Sequence, residues 1–171
     1  MALARLWAGW RSEYIATTTE GPPDHGGACV FCRILDSDEP DEVTYVVWRD
    51  ERVAVLLNAY PYTSGHVLVL PLRHAGRLDE LDAGESAALW RAATDAVLAV
   101  EAAYAPGGVN LGANLGKAAG AGVPGHLHLH CLPRWAGDTN FMTTVAEARV
   151  LPEALAVTWQ KLRAAWPTAT L

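Results

Sequence analysis

Between Gly125 and Pro133 the chain reads Gly-His-Leu-His-Leu-His-Cys-Leu-Pro, with histidine alternating with an apolar residue. Side chains of an extended strand point to opposite faces in turn. His126, His128 and His130 therefore share one face, and Leu127, Leu129 and Cys131 share the other, turned to a core. Half of the six histidines lie on one face of one strand. Three imidazoles buried without partners are costly, so this face is expected to border a cleft or a metal.

The rest of the sequence sets bounds on that strand's setting. A chain of 171 residues suits one compact domain and is short for two. Hydrophobic residues make up 51% and charged residues 19%, the balance of an ordinary soluble globular protein. No apolar run approaches the roughly 18 residues of a spanning helix. Met1 to Trp10 lacks the apolar stretch and cleavage site of a secretory signal, so the expected compartment is the cytoplasm. The net charge of −6 argues against binding a nucleic-acid duplex, which needs clustered Lys and Arg, but leaves room for a small anionic substrate. Three cysteines do not make a disulfide scaffold. The spacing Cys29-Val30-Phe31-Cys32 in a cytosolic chain suggests a metal before a disulfide.

Apolar spacing predicts a helix over residues 3–15, followed by a Thr-, Gly- and Pro-rich loop to about residue 27. An acidic loop runs from Asp36 to Glu42. Strands are expected over Val43–Trp48, Val53–Leu57, His66–Leu70 (ended by Pro71), Val109–Leu115 and Leu127–Leu132. Asp82 to Tyr104 has helical periodicity, with Asp82 as cap and Pro106-Gly107-Gly108 as stop. A closing helix is expected over residues 152–166. Strands around one long helix, with short early links, predict an α+β domain with an antiparallel sheet.

Three uses of the histidine face compete. It can be a solvated strand, or a metal site made by three imidazoles. It can also carry nucleophilic chemistry, in which a neutral imidazole attacks phosphorus and forms a covalent intermediate. That last use needs the ring held in one tautomer by its other nitrogen. It also needs donors around the phosphate oxygens. The loop Leu115-Gly116-Lys117-Ala118-Ala119-Gly120-Ala121-Gly122 offers such donors, since glycine lets backbone N–H groups approach closely.

The histidine strand resembles the motif of the histidine-triad (HIT) family. Other segments are similar in the same order: Leu57-Asn58 before Pro61-Tyr62, then Gly65-His66-Val67-Leu68-Val69-Leu70-Pro71, then Asn114-Leu115-Gly116. Pro133-Arg134-Trp135 with Asp138-Thr139-Asn140-Phe141, and Leu6-Trp7 with Arg11 and Tyr14, resemble the branch of bacterial diadenosine tetraphosphate phosphorylases. The resemblance spans about Arg5 to Trp166 and implies a single HIT-like domain: an antiparallel sheet with flanking helices, usually in a homodimer. It implies a nucleotidyl hydrolase or transferase with His128 as nucleophile and His130 near the transferred phosphate. Asn58 would contact the ribose, and Asn114 the phosphate side. Zinc-bearing members imply a structural zinc held by Cys29, Cys32, His74 and His126, which would leave His128 free for chemistry. Two thiolates and two imidazoles suit a closed tetrahedral site. Many members carry a polar pair shortly before the triad. Here Gly122-Val123 stands there, leaving backbone donors at Gly116 and Gly122, or Lys117, to hold the α-phosphate.

Outside these sets, His66 is read as structural, at the start of its strand, and His25 as solvated. Arg134 is read as a surface ion pair or a phosphate contact, Cys131 as a core thiol, and Trp7 and Trp10 as core cover or base platforms. Two function classes remain: an enzyme working through nucleotidyl-His128, and a zinc-stabilised nucleotide-binding protein whose hydrolysis is incidental.

Overall fold

The computed structural model describes residues 29–138 and 153–168. The expected helix over 3–15, its following loop, His25, Trp7, Trp10 and Thr139-Asn140-Phe141 lie outside the described residues. Five strands, β1 (Val46–Arg49), β2 (Val53–Leu57), β3 (Val67–Pro71), β4 (Gly108–Ala113) and β5 (Leu129–Arg134), form one sheet in the order β1-β2-β3-β5-β4. Every neighbouring pair is antiparallel. Among the described residues four α-helices flank it: α1 (Val30–Leu35), α2 (Asp41–Thr44), α3 (Ala83–Tyr104) and α4 (Leu155–Ala165).

The central strands are buried on both faces, which is why Val-Ala-Val-Leu-Leu and Val-Leu-Val-Leu-Pro read as continuous apolar runs. Val53, Val55, Leu57, Val67, Val69, Leu129 and Cys131 pack against the alanine-rich side of α3 and Leu162 of α4. Small side chains on α3, among them Ala88, Ala92, Ala96 and Ala99, bring that helix close to the sheet. Ala54, Leu56, Leu68 and Leu70 turn the other way, onto Phe31 and Leu35 of α1. His130 is in register with Leu68, so the histidine face is the α1 face. Leu127, Leu129 and Cys131 lie in the α3 core, as alternation requires.

The long helix begins where its cap predicts. The Asp82 carboxylate accepts from the Glu85 N–H at 2.7 Å, and Glu85 returns a bond to the Asp82 N–H at 2.9 Å. Elsewhere the boundaries move. Val43 and Thr44 belong to helix α2 rather than to a strand. Pro40 and the acidic Asp41-Glu42 open that turn, and Tyr45 closes it at a φ of 57°. Pro71 completes β3 instead of stopping it. In β5 the ladder starts at Leu129, because the Leu127 N–H is drawn off to the Ala75 carbonyl at 2.6 Å. Among the described residues, no helix is long and apolar enough to cross a membrane.

Candidate active site and metal site

The alternation of residues 126–130 is kept in the structure, but the three histidines enter different surroundings. His126 is fully buried. Its Nε2–H donates to the Pro71 carbonyl at 2.8 Å, which leaves the Nδ1 lone pair facing two thiols. Nδ1 lies 3.5 Å from Cys29 Sγ and 3.6 Å from Cys32 Sγ, and Cys32 Sγ lies 3.4 Å from His74 Nδ1. The four ligand atoms all fall within 4.8 Å of one another, a group able to hold a metal ion. Cys29 caps α1 and Cys32 sits one turn on, so the Cys-x-x-Cys spacing brings both sulfurs to one side. The Cys32 thiol is pushed up by burial and then by Cys29, a cost that a cation between the sulfurs would remove.

His128 is not part of this group and is also buried. Its Nδ1–H donates to the His126 carbonyl at 2.8 Å, so the ring's lone pair lies on Nε2. The edge of Phe31 packs on the ring with centroids 5.1 Å apart. Burial holds the His128 imidazole below its usual range and so favours the neutral form. The ring of His130 stands beside it at 5.1 Å. Burial draws His130 down to about 4.

The chain that holds His130 begins in the loop after β2. The Asn58 N–H donates to the His66 carbonyl at 3.1 Å, and Asn58 Oδ1 accepts from the Tyr60 N–H at 3.0 Å. The loop returns through Gly65, whose φ is +84°. A Cβ there would come within 2.8 Å of the Tyr104 ring, so both conformation and space require glycine. His66, 1% exposed, reaches His130 with Nε2 to Nδ1 at 2.9 Å, and the Tyr62 ring stacks on His130 at 5.7 Å.

Asn58 thus sits at the rim of the histidine cluster with its side chain turned into the loop. Asn114 follows β4 and donates from Nδ2 to the Gly120 carbonyl at 3.5 Å. Gly116 (φ +84°) leads into a short 3₁₀ turn, Lys117–Ala119, and Lys117 and Gly122 are exposed. A cavity of about 480 Å³ opens between Arg77–Asp79 and Leu115–Gly116. Arg134 is ion-paired with Asp138 at 2.5 Å and bonded to Asn110, the first of the two readings given for it. Cys131 is a core thiol, with burial pushing it up to about 12. Sequence reasoning did not single out His66, Tyr62 or Phe31 for the site. Alternation did hold a signal for His66, which shares its face with Leu68 and Leu70; the pairing of β3 with β5 that makes this face meet the triad was not readable.

An antiparallel sheet with a histidine-bearing strand behind a short Cys-x-x-Cys helix defines a class, and comparison with known proteins gives it a name. The HIT domain matches residues 39–137, and the chain belongs to the histidine-triad (HIT) family. It is 35% identical over 165 residues to an AP-4-A phosphorylase of Mycobacterium tuberculosis, covering 96% of this chain and 85% of that one. A zinc-bound histidine triad family protein from Mycobacterium smegmatis has a similar structure, with a TM-score of 0.62 and 33% identity over 81% of this chain and 92% of that one. A hypothetical histidine triad nucleotide-binding protein from Sulfolobus tokodaii gives a TM-score of 0.65 and 30% identity, over 80% of this chain and 91% of that one.

Proposed function

We propose that this chain is a nucleotide phosphorylase or hydrolase that cleaves phosphoanhydrides of the diadenosine tetraphosphate type through a nucleotidyl-histidine on His128. One observation carries the reading: His128 Nδ1–H is committed to the His126 carbonyl, which leaves a neutral nucleophilic Nε2 beside His130. In the first step a bond forms between Nε2 and the α-phosphorus. The bond from phosphorus to the bridging oxygen breaks, and its electron pair leaves with the nucleoside polyphosphate. In the second step phosphate or water attacks the same phosphorus and frees His128. His130 lies next to the transferred phosphate. Asn58 holds the ribose, while Asn114, Gly116, Lys117 and Gly122 line the phosphate side. The similarity to an AP-4-A phosphorylase supports this substrate class.

The metal proposed for Cys29, Cys32, His74 and His126 is zinc. A tetrahedral zinc with ordinary bond lengths sets sulfur and nitrogen ligands about 3.6 Å apart. Three of the four sulfur–nitrogen separations, at 3.4, 3.5 and 3.6 Å, match that spacing, and all four ligand atoms lie within 4.8 Å of one another. The donation from His126 Nε2–H to Pro71 is the outer bond that fixes such a ligand's tautomer. When bound, zinc supplies a structural cross-link and charge for two thiolates. The chain is further proposed to act as one domain and as a cytoplasmic homodimer. The exposed edge strand β4 and the outward Trp90 and Leu98 of α3 favour self-association.

Incubation with diadenosine tetraphosphate, with and without phosphate, tests the reading. ADP and ATP formed only with phosphate identify a phosphorylase. AMP and ATP formed without phosphate identify a hydrolase. Absence of product in both removes this substrate and leaves a nucleotide-binding protein.

A further inference from the structure

The sheet registers bring two chain segments to one end of β5. Ala113 of β4 and Val69 of β3 both stand opposite Leu129, the residue after His128. The chain leaving β4 at Asn114 and the chain leaving β3 at Leu72 therefore flank the end at which His128 enters the sheet. The cavity of about 480 Å³ opens between these two segments. They are pinned together where Gly76 and Pro124 line it. The Leu127 N–H is bonded to the Ala75 carbonyl at 2.6 Å, and a Cβ on Gly76 would come within 3.2 Å of the Pro124 and Gly125 carbonyl oxygens. The cavity also carries two large apolar side chains open to water: Leu78, 46% exposed, from the first segment and Leu115, 50% exposed, from the second. Leucines held open to water on a fixed frame gain from a flat apolar group laid against them. Beside Leu78, the Arg77 guanidinium forks onto the Asp79 carboxylate with both bonds at 2.8 Å. The fork fixes the carboxylate and offsets its charge, and each oxygen keeps a lone pair for a hydroxyl. Gly116 belongs both to this cavity and to the phosphate-side loop, and a Cβ there would meet nothing within 4 Å.

We propose that this cavity is the subsite for the second nucleoside of the substrate, the half that leaves with the polyphosphate. Leu78 and Leu115 cover the base, and Asp79 accepts from the sugar hydroxyls. The proposal rests on the nucleotidyl-transfer reading above. Asn58 is bonded to His66 just before the start of β3, and the cavity lies past the end of that strand. His130, opposite Leu68, and His128 come between them. A dinucleotide with its first ribose at Asn58 and its α-phosphate at His128 thus runs past Gly116 into the cavity. The site then favours leaving groups that end in a nucleoside. Leu78 and Leu115 act on specificity, since neither touches the reacting atoms and no bond is made or broken in the cavity.

Two measurements test this and keep its failure apart from failure of the reaction. The first needs no turnover. Methyl NMR of the full-length His128→Ala chain, purified without chelators, follows titration with AMP and, separately, with diadenosine tetraphosphate. AMP should move resonances at the histidine face alone, and the dinucleotide should also move the methyls of Leu78 and Leu115. Dinucleotide shifts confined to the histidine face overturn the subsite, as do Leu78 and Leu115 shifts that AMP produces equally well. No shift with either ligand overturns the subsite and the nucleotide reading together. The second is kinetics of Leu78→Asp, a change at a side chain already half in water that the fold tolerates. It should raise KM for diadenosine tetraphosphate by about 10-fold. Turnover of adenosine 5′-phosphorimidazolide, the same adenylyl group on a small leaving group, should stay within about twofold of wild type. Equal losses on both compounds mean that Leu78 acts through the fold, and no loss on either means that the second nucleoside lies elsewhere; each result refutes the proposal. Methyl shifts at Leu78 and Leu115 in a chain whose wild type turns over neither compound refute the reaction and leave the subsite standing.

Discussion

His128 and His130 sit two residues apart on one face and are held in opposite ways. A backbone carbonyl fixes the first so that its Nε2 carries a lone pair; the second faces His66, whose Nδ1 accepts from the Tyr62 N–H and whose Nε2–H therefore donates to His130 Nδ1, so that the His130 proton lies on Nε2. One can attack phosphorus and the other can bind its oxygens. His128→Ala should lower nucleotidyl transfer by at least about a thousandfold while the melting curve and metal content stay those of wild type. Assay of the purified, metal-loaded variant checks this. The partial burial of His130 has a consequence for stability. Its pKa in the fold is about 4, against an ordinary value of 6.5. Between those values the unfolded chain binds more protons than the native one, so stability is full above about pH 6.5 and is lost as pH falls toward 4. The loss is on the order of 3 kcal/mol. Denaturant titrations across that window should show a steeper decline for wild type than for His130→Gln; parallel curves would mean that His130 charges freely in the fold. At this scale the triad was legible, because strict alternation sorts side chains whatever the partner strands are. The role of His66 was not, since a lone histidine opening an apolar strand looks the same whether it packs or relays a hydrogen bond.

Short elements carry the site, and the long one carries the framework. Helix α1 is six residues long, and its N-cap and first turn bring Cys29, Phe31 and Cys32 against His126 and His128. A metal between α1, His74 and His126 would fasten three segments that are distant in sequence. Protein purified without chelators should carry close to one zinc per chain, and Cys32→Ser should lose most of it and melt at a lower temperature. Elemental analysis with a thermal scan reads both. Helix α3 rests on a reciprocal cap, and the Glu85 carboxyl is held down at about 2, first by Arg73 and then by the helix-start N–H bonds. Asp82→Ala should cost about 1 kcal/mol in chemical denaturation and leave turnover unchanged. Helix α3 was legible because cap, periodicity and stop agreed along 22 residues. Val43 and Thr44 were misplaced because two β-branched residues outweighed the Pro and acidic signals of a single helical turn.

Across the whole molecule, the sheet order β1-β2-β3-β5-β4 is what places His66 beside His130. Neither alternation nor turn chemistry specifies that order, since strand pairing is decided by contacts far apart in sequence. The α+β class and the five strands were readable from local patterns; the meeting of the loop of residues 58–66 with the histidine strand needed the fold. The formal charge of −6 spread over the chain is compatible with an anionic substrate only where donors gather locally. The proposed function puts those donors at the glycine loop and at the histidine face. The central claim is a covalent bond between His128 and the α-phosphate, and trapping it is the most direct test. Diadenosine tetraphosphate labelled at the α-phosphate should be mixed with the protein without phosphate, quenched within a turnover, and the digest mapped by mass spectrometry. The expected result is a nucleotidyl adduct on His128 that phosphate discharges and that His128→Ala does not form. Turnover by wild type with no adduct on His128, together with activity retained in His128→Ala, would contradict it.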